Sequence, residues 1–341
     1  MRKFSNSNKS KSTRVAIIGA GNMGKCRARV YSSFKNVDLI AISDIDEKKG
    51  KNVALEFNCK FFKDYNQMLK KENIDIVLIS VPTKLHKKVC LDVIKNKKHL
   101  IVEKPFASNS REAKEIIKAA EKAEVKLAVS HVERFNPAIQ KLKEILGDKK
   151  LGKITSIIIR RVGIFPPHPV GDPNVIMGLV IHDLDILDYL LNSQQPIEVF
   201  AKGRKILTAQ GEDSAEVFLS YDGISSFIQV NWITPGKFRK ISVTGLEGYA
   251  ELNCLTQELE IYKANCKRKI ASFKEFMKYG QPVKKEVKIR KREPLFCELE
   301  SFIKCIRENK KPLVTGEDGL KALIVIEKVL KSLKNNKVIK L

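Results

Sequence analysis

The sequence predicts a chain in two parts. The first is an α/β domain on a doubly wound parallel sheet; the second is an α+β domain with an open, mostly antiparallel sheet and flanking helices. Three observations carry that expectation. From residue 14 to about 131, short β-branched apolar runs alternate with helical patterns, the grammar of βαβ units. From about residue 150, long β-rich segments separated by glycine-containing turns take over. The chain has 341 residues, 43% of them hydrophobic, enough apolar material for two cores. The expected division is a basic tail at 1–12, a first domain at 13–131 and a second at 132–341, with the terminal helices free to pack back on the first.

The first domain is organised around residues 14–44. Val15 to Ile18 reads as one buried strand. It runs into Gly19-Ala20-Gly21-Asn22-Met23-Gly24, a G-x-G-x-x-G, then a helical pattern to Lys35 and a strand at 37–43 that ends at Asp44. Gly19 allows a tight turn, Gly21 lets the backbone approach a pyrophosphate, and Gly24 lets helix and strand pack closely. The free N–H groups where the helix starts, at Asn22 and Met23, offer phosphates a positive end. Asp44, twenty residues after Gly24, is placed to accept both ribose hydroxyls. This is a Rossmann pattern. The expected cofactor is NAD rather than NADP, because Asp44 repels a 2′-phosphate and no Arg directly follows it.

Beyond Asp44, helices are expected at 46–57, 65–71, 86–96 and 110–123, the last capped by Ser110. They alternate with strands at 59–62, 75–81, 99–103 and 126–130. Such sheets bind ligands at the carboxyl ends of their strands. The informative segments are therefore Val81-Pro82-Thr83, with His86 closing VPTKLH, then Glu103-Lys104-Pro105, and His131. Lys104 is expected beside the nicotinamide, held by an ion pair with Glu103, as a proton donor or acceptor or as a hydrogen-bond donor to a substrate hydroxyl.

In the second domain, strands are expected at 153–162, 197–206, 215–221, 225–233, 240–244, 249–253 and 259–262, with a helix at 177–191. A basic loop at 264–292 carries one strand at 286–289, and helices at 294–309 and 318–335 close the chain. On the helix at 177–191, His182, Asp185 and Tyr189 share a face. The pair is either a general acid/base oriented by a carboxylate or a structural histidine; Asp183 and Asp188 read as solvated. HVERFNP at 131–137 brings His131, Arg134 and Asn136 to a strand end. In RRVGIFPPHP at 160–169, Arg160 and Arg161 are candidates to bind a diphosphate, with Phe165 stacking on a ring. Alternation along a strand allows at most one of the two arginines to face a site. Asn231, Trp232 and Thr234 end another strand, with Trp232 read as core.

Composition narrows the function classes. The net charge is +25, but the lysines are scattered over helix faces and loops instead of gathered with aromatics, so a nucleic-acid partner is not expected. No apolar run approaches a membrane span, and the N-terminus lacks the apolar core of a signal peptide. The cytoplasm is the default compartment. Seven cysteines without C-x-x-C spacing indicate neither a metal site nor a disulfide framework.

Together GAGNMG at 19–24, VPTKLH at 81–86, EKP at 103–105 and IHDLD at 181–185 resemble the glucose-fructose oxidoreductase / inositol dehydrogenase family over nearly the whole chain from Arg14. The resemblance implies NAD(P)-dependent oxidation or reduction of a sugar or cyclitol carbinol, with Lys104 and His182 as the catalytic pair. It also implies a homodimer or homotetramer built through the outer face of the open sheet. GNMGKCRARVY, HVERFNP, RRVGIFPP and NWITP look most like members that oxidise the C3 hydroxyl of UDP-N-acetylglucosamine. The alternatives are a UDP-uronic acid or inositol as substrate, or a non-catalytic NAD-binding regulator. Members usually carry an Asp four residues before the histidine; here that position is Gly178, with Asp172 or Asp185 as candidates to replace it.

Overall fold

A computed structural model of the chain describes residues 12–165, 174–207, 209–263, 272–274 and 282–341. The expected tail up to residue 11, most of the basic loop, Asp172 and the prolines after Phe165 lie outside the described residues. The chain divides into two compact units: residues up to Ser130 with Glu298–Glu317, and His131–Cys297 with Asp318–Leu341.

The first unit holds six parallel strands: β1 (Thr13–Ile18), β2 (Val37–Ser43), β3 (Lys60–Phe62), β4 (Ile76–Ile79), β5 (His99–Glu103) and β6 (Leu127–Ser130). Their order, β3-β2-β1-β4-β5-β6, reverses direction at β1, as in a doubly wound sheet. Every pairing is parallel. Val15–Ile18, Ile76–Ile79 and Leu100–Val102 are almost completely buried. These strands are covered on both faces, so they read as unbroken apolar runs. The crossovers are α1 (Asn22–Ser32), α2 (Glu47–Glu56), α3 (Tyr65–Lys71), α4 (His86–Lys95) and α5 (Ser110–Lys122). The cap of α5 is Asn109 rather than Ser110: the Asn109 side chain accepts from the Glu112 N–H at 2.9 Å. Ser110 is the first helical residue, too far into the turn to reach that donor.

The second unit is a nine-stranded sheet in the order β14-β13-β12-β11-β7-β10-β9-β8-β15. Its strands are β7 (Ile154–Ile164), β8 (Glu198–Arg204), β9 (Ser214–Tyr221), β10 (Ile224–Asn231), β11 (Ile233–Gly245), β12 (Gly248–Asn253), β13 (Glu258–Lys263), β14 (Val283–Val287) and β15 (Ile339–Lys340). Among the described residues of this sheet, only β7 and β10 pair in parallel. Three strands differ from expectation. β14 lies at Val283–Val287 rather than 286–289, and β15, a short strand without periodicity, pairs with β8. β11 is thirteen residues long, because Pro235-Gly236 does not end it. The strand absorbs that step as a register shift between Ile233 and Phe238.

Ile157, Ile159, Ile228, Val230, Ile241, Val243, Ala250 and Leu252 form the buried face of this sheet, against which α6 (Pro137–Gly147) packs at β12 and β13. A π-helical turn, Ile176–Val180, leads into α7 (Ile181–Leu190). The last helices are α8 (Pro294–Arg307) and α9 (Gly316–Asn335). Among the described residues, no helix is long and apolar enough to cross a membrane.

Candidate active site

The glycines of the first unit build a turn that leaves room for a ligand. Gly19 has φ +102°, and a Cβ there would lie 2.4 Å from the Ser80 carbonyl oxygen. A Cβ on Gly24 would lie 1.9 Å from the Gly19 carbonyl oxygen. At Gly21 a Cβ would meet nothing within 4 Å, so the open side of the turn is there. Gly21 caps α1 with no side-chain hydrogen bond, and the first turn carries no acid. The N–H groups at Asn22 and at half-exposed Met23 are thus left to an external anion. Asp44 is half-buried at the end of β2. Its Oδ2 accepts from the Ala20 N–H at 2.6 Å and its Oδ1 from the Asp46 N–H at 2.9 Å. One carboxylate fixes the turn and retains lone pairs for ribose hydroxyls, so these residues fit a dinucleotide.

The ends of β4 and β5 lie at the same edge of the sheet. Val81 and Thr83 are half-buried and Pro82 is exposed. His86, expected to touch the cofactor, instead ties two loops together. It is 1% exposed, with Nε2 2.9 Å from the Val81 carbonyl and Nδ1 2.9 Å from the Pro105 carbonyl. Burial lowers its pKa, and the carbonyls oppose that shift. Lys104 is half-buried just past β5. Glu103 does not hold it. The Glu103 carboxylate accepts from Arg27 Nε at 2.5 Å, and Arg27 Nη1 reaches Glu298 Oε2 at 2.6 Å while Nη2 bonds Ser130 Oγ. Glu103 therefore faces a buried ionic cluster, in which burial raises the pKa of Glu298.

In the second unit, most of the polar residues expected to bind substrate are buried. Arg134 is 4% exposed and bonds Asp185 Oδ1 at 2.8 Å and Asp188 Oδ2 at 3.0 Å, with Asp318 at 3.4 Å. Arg161 is 3% exposed; its Nε donates to Asp183 at 2.7 Å and its Nη1 to Glu133 at 2.8 Å. A guanidinium this buried and already bonded to two carboxylates is not exposed to a diphosphate. Arg160 is exposed on the opposite face of β7, in register with Gln229 and Lys240. Neither arginine takes the expected role.

Asn136 is buried; it caps α6 by accepting from the Ala138 N–H and donates to the Cys254 carbonyl. His131 is buried with Nδ1 3.9 Å from Asp185. Asp183 and Asp188, read as solvated, are buried partners of these arginines. Asp185 lies against Arg134, so it does not replace the acid missing at 178. Burial pushes Asp185 up to about 7 and Asp183 to about 6. His182 is half-buried on α7. Phe165 packs edge-on to Trp232, ring centroids 5.6 Å apart. A Cβ at Gly178 would come 3.2 Å from that indole.

Sequence reasoning missed Arg27, Glu298 and Glu133. Arg27 sits among the buried positions 24, 27, 28 and 31 of α1, and Glu298 on the buried stripe of α8. A charge on a buried stripe signals an opposite charge elsewhere. Among the described residues no group of three or more His, Cys, Asp or Glu is placed to hold a metal.

The turn, the acid after β2 and the lysine after β5 define the class: a dinucleotide-binding oxidoreductase domain joined to an open-sheet domain. Residues 13–131 match the oxidoreductase family with an NAD-binding Rossmann fold, and residues 139–251 match the GFO/IDH/MocA C-terminal domain. The chain belongs to the GFO/IDH/MocA family and binds NAD. It is 27% identical to the UDP-N-acetylglucosamine 3-dehydrogenase of Acidithiobacillus ferrooxidans, over 91% of this chain and 94% of that protein. It is also 27% identical to the myo-inositol 2-dehydrogenase of Thermotoga maritima, over 96% and 98%. The solved structure of the Acidithiobacillus enzyme superposes with a TM-score of 0.84 at 25% identity, covering 95% of this chain and 98% of that one.

Proposed function

We propose that this chain oxidises the C3 hydroxyl of UDP-N-acetylglucosamine to the 3-keto sugar. NAD, when bound, supplies the hydride acceptor. Lys104 and His182 are the acid–base pair: one takes the hydroxyl proton as the C3 hydrogen leaves, and the other hydrogen-bonds the oxygen. The observation that carries the reading is Lys104. It is a half-buried amine directly past a central strand, at the sheet edge that also carries the glycine turn and Asp44. The choice of sugar is supported by the similarity to the Acidithiobacillus enzyme. A second reading, oxidation of inositol, is favoured by the equal identity to the Thermotoga enzyme.

The test is NADH formation followed by absorbance, with UDP-N-acetylglucosamine, a UDP-uronic acid and inositol. Lys104→Ala is expected to lower kcat about 100-fold or more, the usual share of a general acid/base. Near-normal turnover by that variant removes the lysine from the mechanism. Normal NAD binding without turnover on any ring alcohol supports a regulator.

The working assembly we propose is a homodimer or homotetramer. Its contact is the outer sheet face, where Phe200, Phe218, Phe227 and Ile158 lie in one register row across β8, β9, β10 and β7. The proposed compartment is the cytoplasm, which suits the free cysteines of the described residues.

A further inference from the structure

With Arg160 and Arg161 removed as diphosphate ligands, the second unit still holds one group of cations in surplus. Alternation back along β11 from buried Ile241 and Val243 puts Arg239 on the inner face. Arg239 pairs with Arg161 in register, and its Nη1 shares Glu133 Oε1 with Arg161, at 3.3 Å. Lys237 lies across Gly163 of β7, where a Cβ would come 3.9 Å from its Cγ. Two arginines, Arg161 and Arg239, thus pair with two carboxylates, Glu133 and Asp183, and Lys237 adds a third cation beside them. Lys237 is exposed and makes no ion pair or hydrogen bond among the described residues. The field there is positive: Arg239, then burial, then Arg161 lower the pKa of Lys237. Burial and Arg161 lower that of Arg239. An anion beside Lys237 would balance the cluster.

We infer that Lys237, backed by Arg239, is the phosphate subsite of this enzyme and binds the diphosphate of a nucleotide-sugar substrate. The inference rests on the nucleotide-sugar reading above and supplies the ligand for which Arg160 and Arg161 are unsuited. Phe165 and Trp232, at the ends of β7 and β10, give that inner face its aromatic neighbours. Lys237 is a binding residue with no part in the proton transfer.

The test uses the NAD-saturated full chain. Lys237→Ala is expected to raise KM for UDP-N-acetylglucosamine about 10- to 100-fold, the range of one charge-assisted hydrogen bond, with kcat changed less than about 3-fold. Calorimetric binding of UDP should weaken by the same factor, binding of uridine should not change, and Lys237→Arg should restore most of the loss. An unchanged KM and unchanged UDP binding in Lys237→Ala overturn the inference. The calorimetry separates it from the choice of substrate. If the wild type oxidises no UDP-sugar yet loses UDP affinity in Lys237→Ala, the subsite stands and the sugar reading falls. If UDP binds wild type and variant equally, the subsite falls whatever is oxidised.

Discussion

Burying Arg134 and Arg161 requires carboxylates, and the carboxylates then carry the pH dependence of the second unit. Asp185 illustrates the sign. Its folded pKa is raised to about 7 by burial, against the pull of Arg134. The folded carboxyl therefore holds its proton to higher pH than the unfolded one, whose ordinary value is near 4. Its contribution to stability is fully present below that value and is lost as pH rises through about 7. Asp185→Asn keeps a buried amide beside Arg134, which retains Asp188 and Asp318. Between pH 4 and 7 the melting temperature of the wild type should fall relative to that of the variant; parallel curves would contradict the assignment. At this scale the sequence was legible where position is tied to a short motif: Asp44 follows β2 and Lys104 follows β5, as expected. It was misleading at Arg134, Arg161, Asp183 and Asp188. A charged side chain looks the same in a sequence whether water or an opposite charge surrounds it, and the partners here lie 22 to 184 residues apart.

Among the elements, the β1–α1 turn has the least tolerance. The Gly19 carbonyl occupies the space a Gly24 side chain would need. Gly24→Ala should cost about 1–3 kcal/mol, as overpacking does, and should weaken NAD binding. A thermal melt with and without NAD reads both, and an unchanged NAD-dependent rise in melting temperature would contradict it. That turn was readable from glycine spacing because backbone approach admits only one residue type. β11 was not readable. Its Pro-Gly step has the composition of a turn, yet neighbouring β7 keeps the strand in the sheet and a bulge absorbs the mismatch. Treating 234–239 as a turn hid the strand positions of Lys237 and Arg239. α7 was found by period, but its acids pointed the wrong way: eight of its ten residues are buried, so no face is left to solvent.

For the whole molecule, the alternation of strands and helices followed by a β-rich half was enough to foresee both sheets, because each sheet type imposes its own period on long stretches of chain. The strand order and the register were not foreseeable, since they depend on pairings between distant segments. That register aligns Phe200, Phe218, Phe227 and Ile158 on the outer face, where Phe218 is 45% exposed. If this row is the contact between copies, Phe218→Lys should shift the sedimenting species toward monomer with the fold intact. An unchanged mass would place the contact elsewhere. The surface charge of +25 suits an anionic substrate through long-range attraction, which salt should weaken. The central claim is that Lys104 is one of the acid–base pair that acts while NAD is reduced by a UDP-sugar. The most direct measurement is the initial rate of NADH formation from UDP-N-acetylglucosamine by the wild type and by Lys104→Ala at equal NAD occupancy. The account predicts turnover by the wild type and a loss of about 100-fold or more in the variant; equal rates in the two proteins would contradict it.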